Sequence, residues 1–591
     1  MCGIFGQIGS QKDLSGDQIK SLGLTIKHRG PDDAGWSTFK GGFLANQRLS
    51  IIDIENGKQP FTTQDGKFTL VQNGEIYNYR ELAETLKKTK GVEFETSSDS
   101  EVLLHQFAQF GVEGLKDLNG MFCFAVRDNQ SGKVFVVRDR VGIKPCFFMK
   151  DQNGLSFSSE MRVLLAMDQN GEKPEISEKS MHTLLTLGYF PPPFTIYESI
   201  HQLRPGHYLE IEADGSYQEK KWWFLPKQVE EVKSTRSEII DHVDDLIDQS
   251  VKLRTVADVP VGSYLSGGLD STWVSLYLQK HSTEKLNTFT LTFPGTSFDE
   301  SKWALEASEK IGTNHYERAV SPDDLHNWDK FIYFCEQPHC DVSFIPTYLV
   351  SELAAKHVKV VLTGDGGDEV FGGYNRYKEF FALPKTASND DIIKLHLKHN
   401  RMNSKEQIVQ MGLISNDMID SYEEQLVNYY RDLLEPYSKQ DNLNRALLID
   451  VFTLLPGNNL VKPDRMGMAH SIEARTPLLD PRLLDYLFKL PGEIKASHDE
   501  TRTLQKDILK KYFSDEFVDR DKHMLTVPIT DWKSKKDVDL LAGIDLNGDI
   551  LKKFNKAFYE EIKAENKENP HAQLKNLRLL NSITQFEKQF R

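Results

Sequence analysis

Residues 258–271 read DVPVGSYLSGGLDS. The first eight form an apolar run that predicts a β-strand. A glycine-rich turn follows, and then a helix with Trp273, Val274, Tyr277 and Leu278 on one side. Residues 287–293 and 356–363 (KHVKVVLT) predict two more strands, and the second of these again ends in a glycine-rich turn. Strands that alternate with helices in this way imply a parallel sheet, with ligands bound beyond the carboxyl ends of its strands. From about residue 377 onward the pattern is mainly helical.

The chain before this point has a different texture. Residues 68–72, 121–126 and 134–137 predict strands, and residues 81–88 and 100–110 have helical spacing. Residues 226–236 (PKQVEEVKSTR) are charged and poor in apolar side chains, which marks a linker. It leads into a helix over 237–253, with Ile239, Ile240, Val243, Leu246, Ile247 and Val251 on one face. The expected organisation is a unit over 1–225, the linker, and a second unit over 237–591. The length of 591 residues alone would suggest about four domains.

The net charge of −15 argues against a general basic surface for nucleic acid or anionic membrane. The start, MCGIFGQIGSQKD, lacks the basic region of a secretory signal. Residues 181–197 are free of charge for most of their length, but Pro191, Pro192 and Pro193 interrupt them, so no membrane helix is expected there. Five cysteines without CxxC spacing suggest a reduced, cytoplasmic protein without structural disulfides. Cys335, His339 and Cys340 do not complete a metal site by themselves.

Three features carry chemistry. Ser266-Gly267-Gly268-Leu269-Asp270-Ser271 offers backbone N–H groups and hydroxyls at a helix start, an anion cradle unlike a Walker A loop. A plain capped turn is the competing reading of any Gly-Gly pair. The run Gly364 to Glu369 (GDGGDE) is entropically costly as a purely structural device. Asp270 and Asp368 are natural Mg²⁺ ligands beside phosphate. Cys2 follows the initiator Met, and once that is removed its thiol and free α-amine make a nucleophile and base pair.

Behind Cys2 come Lys27-His28-Arg29-Gly30-Pro31-Asp32, Arg48-Leu49-Ser50-Ile51, Asn73-Gly74-Glu75-Ile76-Tyr77-Asn78 and Ser98-Asp99-Ser100-Glu101. In this order the segments resemble the glutaminase domain of class II glutamine amidotransferases, over roughly residues 1–205. That resemblance implies an Ntn-hydrolase αββα sandwich with Cys2 as the nucleophile. It implies an oxyanion site made by the Asn73 side chain and the Gly74 N–H. Arg48 would take the carboxylate of glutamine, Asp99 its ammonium, and Glu75 would complete the pocket.

SGGLDS resembles the pyrophosphate loop of enzymes that split ATP into AMP and pyrophosphate. Together with GDGGDE, Asp464-Arg465-Met466-Gly467-Met468 and residues 473–480 (EARTPLLD), it makes the chain resemble the glutamine-hydrolysing asparagine synthetase family over nearly its whole length. The resemblance implies a Rossmann-like second unit of the adenine nucleotide α-hydrolase type that uses ATP and Mg²⁺. Tyr264 and Leu291 would hold the adenosine, and Thr363 and Gly364 would also touch the nucleotide. Ser266, Gly267, Gly268 and Ser271 would cradle phosphate, and Asp270 and Asp368 would hold metal. Lys506 would neutralise the phosphates, with Arg502 as its competitor. Asp365 stands where the family usually carries Glu, one methylene longer. Aspartate is the family acceptor, and another carboxylate, such as a uronic acid, is the alternative. A homodimer is the family expectation, with no nucleic-acid or membrane partner.

Overall fold

The computed structural model describes residues 2–167, 174–520, 527–534, 539–541, 543–569 and 573–591. Two six-stranded antiparallel sheets build the amino-terminal unit. The first runs, edge to edge, Ile200–Gln202, Phe147–Asp151, Gly154–Ser158, Cys2–Ile8, Gly42–Arg48, Asp33–Phe39. The second runs Tyr217–Lys221, His207–Ile211, Val134–Arg138, Gly120–Asp128, Phe68–Ile76, Phe61–Thr62.

The sheets face each other and helices cover both outer faces. In Cys2–Ile8 every residue is buried, because alternate side chains enter different layers. Ile4 and Ile8 join Leu44, Val71 and Ala125 between the sheets. Phe5 points the other way, to Phe43, Ile19 and Val163 under the helices Gly16–Leu24 and Met161–Met167. On the far side Leu70 and Phe124 pack on Leu103 and Phe107 of the helix Asp99–Phe110. The layers are therefore αββα, as the resemblance implied.

The second unit holds a five-stranded, wholly parallel sheet in the order Asn314–Ala319, Asn287–Thr292, Val261–Tyr264, Val360–Leu362, Glu473–Arg475. From Val261–Tyr264 the chain steps outward through two strands, then returns to the opposite flank with Val360–Leu362. The two strands at this reversal pair Gly262 with Val361 and Ser263 with Leu362. Such a reversal is a topological switch point, where open α/β sheets leave a crevice for ligands. Beyond residue 375 the described chain is mainly helical. Among the described residues no helix is long and apolar enough to cross a membrane.

Several boundaries differ from the sequence expectation. The strand expected over 258–265 is Val261–Tyr264, since Pro260 has no N–H to give a ladder. Phe68–Ile76 runs four residues further than 68–72, so Asn73, Gly74 and Glu75 lie within the ladder rather than after it, opposite Cys123, Phe122 and Met121. The helix expected from residue 237 begins at Arg236, where Thr235 and Glu238 form a reciprocal cap.

Candidate functional site

Cys2 opens the strand at the centre of the first sheet and faces the second. Its backbone N–H donates to Asn73 Oδ1 at 3.1 Å. The Asn73 amide donates to Ser159 Oγ at 3.3 Å, and that hydroxyl also accepts from Ile4 N at 3.0 Å. The donor expected at an oxyanion thus meets the backbone of Cys2, fixed at both ends of its amide. Burial pushes the Cys2 thiol up, against the pull of Asn46, Leu49 N–H and Arg48. Gly74 adopts φ +148°, and a Cβ there would lie 2.1 Å from the Met121 carbonyl. Only glycine lets the two strands approach this closely.

Asp99, Glu75 and Arg48 are the residues expected to hold glutamine. Ser98 caps the helix Asp99–Phe110. Asp99 turns inward instead and accepts from Ile76 N at 2.9 Å and Gln72 Nε2 at 3.1 Å. Burial outweighs these donors and raises its carboxyl to about 6. Burial, Asp99 and Glu473 together push Glu75 up as well. Glu75 Oε2 is buried without a hydrogen bond, and Arg475 of the second unit stands 3.9 Å from Oε1. Arg48 spends two of its nitrogens on the carbonyls of Ile52, Asp53 and Ile54, at 2.7–3.1 Å. It pins the loop that follows its strand with three bonds from its five N–H groups.

A buried ionic junction ties this site to the second unit. Arg29 donates from Nε to the Cys2 carbonyl at 3.3 Å and grips Asp464 through two bonds of 2.9 and 3.1 Å. Glu160 accepts from Arg29 and pairs with Arg465 at 3.0 Å. Arg465 also pairs with Glu336, which accepts from Met161 N and Arg162 N at 2.8 Å each. Arg29 and Asp464 both fall in segments singled out from the sequence, but their pairing left no sequence signal. Charges 435 residues apart show no periodicity.

The second site forms at the switch point. Ser266-Gly267-Gly268 leaves the strand Val261–Tyr264, and Asp270 enters the first turn of the helix Leu269–His281. The hydroxyls of Ser266 and Ser271 meet at 3.1 Å across that turn. The second loop leaves Val360–Leu362 and presses on the first. A Cβ at Gly364 or Gly367 would lie 2.6 or 2.1 Å from Asp270 atoms, so close approach accounts for the glycines. Burial raises Asp365, the nearby Asp270 and Asp368 charges add to this, and Lys462 opposes it. Tyr264 is anchored through its hydroxyl to Ser351 Oγ at 2.7 Å.

Asp270 and Asp368 converge on one cation, the guanidinium of Arg502. It lies 3.1 Å from Asp270 Oδ2 and also pairs with Asp368. Arg502 holds a left-handed backbone, φ +57°, as it enters the helix Thr503–Leu509. Two carboxylates that can share one guanidinium are close enough to share a metal ion, so the donor set fits Mg²⁺. Lys506 is turned away, held by Glu500 at 2.5 Å with Asp519 at 3.7 Å. Of these two cations, the structure brings Arg502 to the acid pair.

Both loops open into one cavity of about 970 Å³. Tyr264, Leu291, Thr363 and Gly364 line it, and so do Lys506 and Arg502. A further wall comes from the helical part, with Asp341, Asn458, Lys462 and Arg578. Asp341 accepts from Lys462 and Asn458, each at 3.1 Å, and from Ser343 Oγ at 2.6 Å. Despite burial, Lys462, His339 and Ser343 hold its carboxyl well below the usual range.

Comparison with known proteins follows the same division. Residues 1–223 match the family model of the glutamine amidotransferase domain, and residues 242–587 that of asparagine synthase. The chain is similar to asparagine synthetase [glutamine-hydrolyzing] 1 of Bacillus subtilis, 32% identical over 90% of this chain and 88% of that one. A putative asparagine synthetase [glutamine-hydrolyzing] 2 of Methanocaldococcus jannaschii is 34% identical over 79% of this chain and 98% of its own. Asparagine synthetase B of Escherichia coli is 32% identical over 63% and 65%.

Proposed function

The chain belongs to the asparagine synthase family, and from that premise we propose that it is a glutamine-dependent asparagine synthetase. The observation that carries this reading is the convergence of the two glycine-rich loops, with Asp270, Asp365 and Asp368, on a single cavity. The junction through Arg29 and Asp464 supports coupling of that cavity to Cys2.

In the amino-terminal unit the Cys2 thiolate attacks the side-chain amide carbon of glutamine. Asn73 Nδ2 and Gly74 N–H would stabilise the oxyanion, a contribution of about 10²–10³ in rate per donor. The Cys2 α-amine, freed by removal of Met1, would carry the thiol's proton to the leaving nitrogen; the C–N bond breaks, ammonia leaves, and water releases glutamate from the thioester. Asp99 and Arg48 orient the substrate by its ammonium and carboxylate, beside Glu75.

In the second unit the loop Ser266–Ser271 would hold the phosphates of ATP, between Tyr264 and Leu291 on the adenosine side and Thr363 and Gly364 opposite. Asp270 and Asp368 would hold Mg²⁺, which neutralises phosphate charge. The acceptor carboxylate attacks the α-phosphorus and pyrophosphate leaves. Ammonia then attacks the acyl carbon, AMP departs, and Asp365 accepts the proton. Lys506 and Arg502 both line this cavity and would help to neutralise phosphate, Lys506 after leaving Glu500. Aspartate is the proposed acceptor, and asparagine, AMP, pyrophosphate and glutamate are the products.

Incubation with glutamine, Mg²⁺-ATP and aspartate tests the reading. One AMP and one pyrophosphate per asparagine are expected. Release of ADP and phosphate would overturn the adenylation step, and pyrophosphate release with uronates but not aspartate would overturn the acceptor.

A further inference from the structure

The cavity wall opposite the loops carries two buried polar atoms that nothing in the fold satisfies. Arg578 lies on the helix Leu574–Phe590, whose neighbouring residues Leu577 and Leu580 are fully buried in the core. Its Nε is buried and makes no hydrogen bond. No ion pair or hydrogen bond holds its guanidinium among the described residues. Asn458 Oδ1 is likewise buried without a partner. The orientation of that amide is fixed, because its Nδ2 donates to Asp341 Oδ2 at 3.1 Å and to Asn459 Oδ1 at 3.0 Å. Both residues line the same cavity as the acid loops.

Lys462, Asp341 and Arg376 on this wall each have an ion-pair partner, whereas Lys378 has none among the described residues, and Arg376 Nε, like Arg578 Nε, is buried without a hydrogen bond. Lys462 and Asp341 hold each other at 3.1 Å, and Arg376 is bound to Asp450 at 2.9 Å. A buried Nε–H without a hydrogen-bond acceptor is costly unless a ligand supplies one. An unpaired donor and an unpaired acceptor on one wall match the α-carboxylate and α-ammonium of an amino acid. Asp365, Lys462, Asp341 and Arg578 line this one cavity, so an acceptor held by Arg578 would have its second carboxyl in the same space as Asp365.

Resting on the acceptor reading above, we infer that Arg578 and Asn458 bind the α-carboxylate and α-ammonium of the acceptor. They are specificity residues for the acceptor proposed above.

The test is a selectivity ratio measured within one protein preparation, which partial misfolding does not move. Pyrophosphate release is measured with aspartate and with 3-aminopropanoate, which is aspartate without its α-carboxylate. The wild type is expected to favour aspartate strongly in kcat/KM. Arg578→Leu is expected to shrink that ratio at least about tenfold, through KM for aspartate, while KM for ATP moves little. Arg578→Lys should keep part of the ratio, and Lys378→Met, a control on the same wall, should keep it all. An unchanged ratio in Arg578→Leu overturns the inference, as does a ratio that collapses only in Lys378→Met. Wild type that takes glucuronate as well as aspartate also overturns it. If no acid releases pyrophosphate, the synthetase reading itself fails, which is a distinguishable result.

Discussion

Arg29 and Asp464 form a two-pronged ion pair of 2.9 and 3.1 Å, and the same guanidinium reaches the carbonyl of Cys2 at 3.3 Å. The two residues are 0% and 5% exposed, so neither charge has water to fall back on. Removing one partner of such a pair typically costs about 3–5 kcal/mol, because the other stays buried and uncompensated. Asp464→Ala should therefore lose several kcal/mol in chemical denaturation and should also lose glutaminase activity. The double variant Arg29→Met with Asp464→Leu should recover much of the stability but not the activity. Stability within about 1 kcal/mol of wild type in Asp464→Ala would show that the junction does not hold the units together.

Cys2→Ala removes the thiol without touching the N–H that meets Asn73. Glutamate release from glutamine should fall below detection. Amidation with added ammonia should persist, because the cavity of the second unit draws no residue from the first sheet. Normal glutamine hydrolysis by this variant would place the nucleophile elsewhere.

How far all this was legible depends on distance along the chain. The loop Ser266–Ser271 could be read because strand, turn and helix are contiguous, so periodicity and glycine spacing report on one another. The glutamine-pocket residues could be read by position, but Asn73 and Glu75 were placed after a strand they actually belong to. A polar Asn-Gly pair imitates a turn, and the ladder to Gly120–Asp128 overrode that local signal. The strand Asp33–Phe39 left no trace, since Asp-Ala-Gly-Trp-Ser-Thr-Phe is half exposed and weak in β-formers at its start. Arg502 and Lys506 are one helical turn apart, and only tertiary packing decides which of them meets Asp270 and Asp368.

Asp99 should make glutamine binding depend on pH. Its carboxyl is raised to about 6, chiefly by burial, so it loses charge as pH falls through that value. The ammonium of glutamine needs the ionised form. KM for glutamine should rise about tenfold per pH unit below about 6, with kcat less affected. Between the ordinary carboxylate range and about 6 the folded chain binds more protons here than the unfolded one, so this group's contribution to stability is lost as pH rises through that window. Asp99→Asn should bind glutamine weakly at every pH, and a profile with the wild-type inflection in that variant would assign the titration to another group.

Gly74→Ala combines two faults. It places a Cβ 2.1 Å from the Met121 carbonyl and forces a side chain onto φ +148°. Backbone strain of this kind costs about 1–3 kcal/mol before the strands are pushed apart. The oxyanion donor would move with them. Glutaminase kcat should fall at least about 10²-fold. Ammonia-dependent amidation should survive at temperatures below the lowered melting point. Wild-type glutaminase kcat in Gly74→Ala would remove the Gly74 N–H from the oxyanion site.

Arg502 pairs with the two carboxylates proposed to hold Mg²⁺, so on that proposal the two would compete for Asp270 and Asp368. With Arg502→Met the carboxylates face each other without their counter-charge, and the metal-free chain should melt lower than wild type. The gap should narrow when Mg²⁺-ATP is added, because a metal held by the same oxygens restores what the guanidinium supplied. The melting shift caused by Mg²⁺-ATP should thus be larger in the variant than in wild type, a readout independent of turnover. Lys506→Met should lack this effect, since Lys506 is bound to Glu500 and does not touch the acid pair. Equal Mg²⁺-ATP shifts in wild type and Arg502→Met would mean that the two carboxylates are not the metal's ligands.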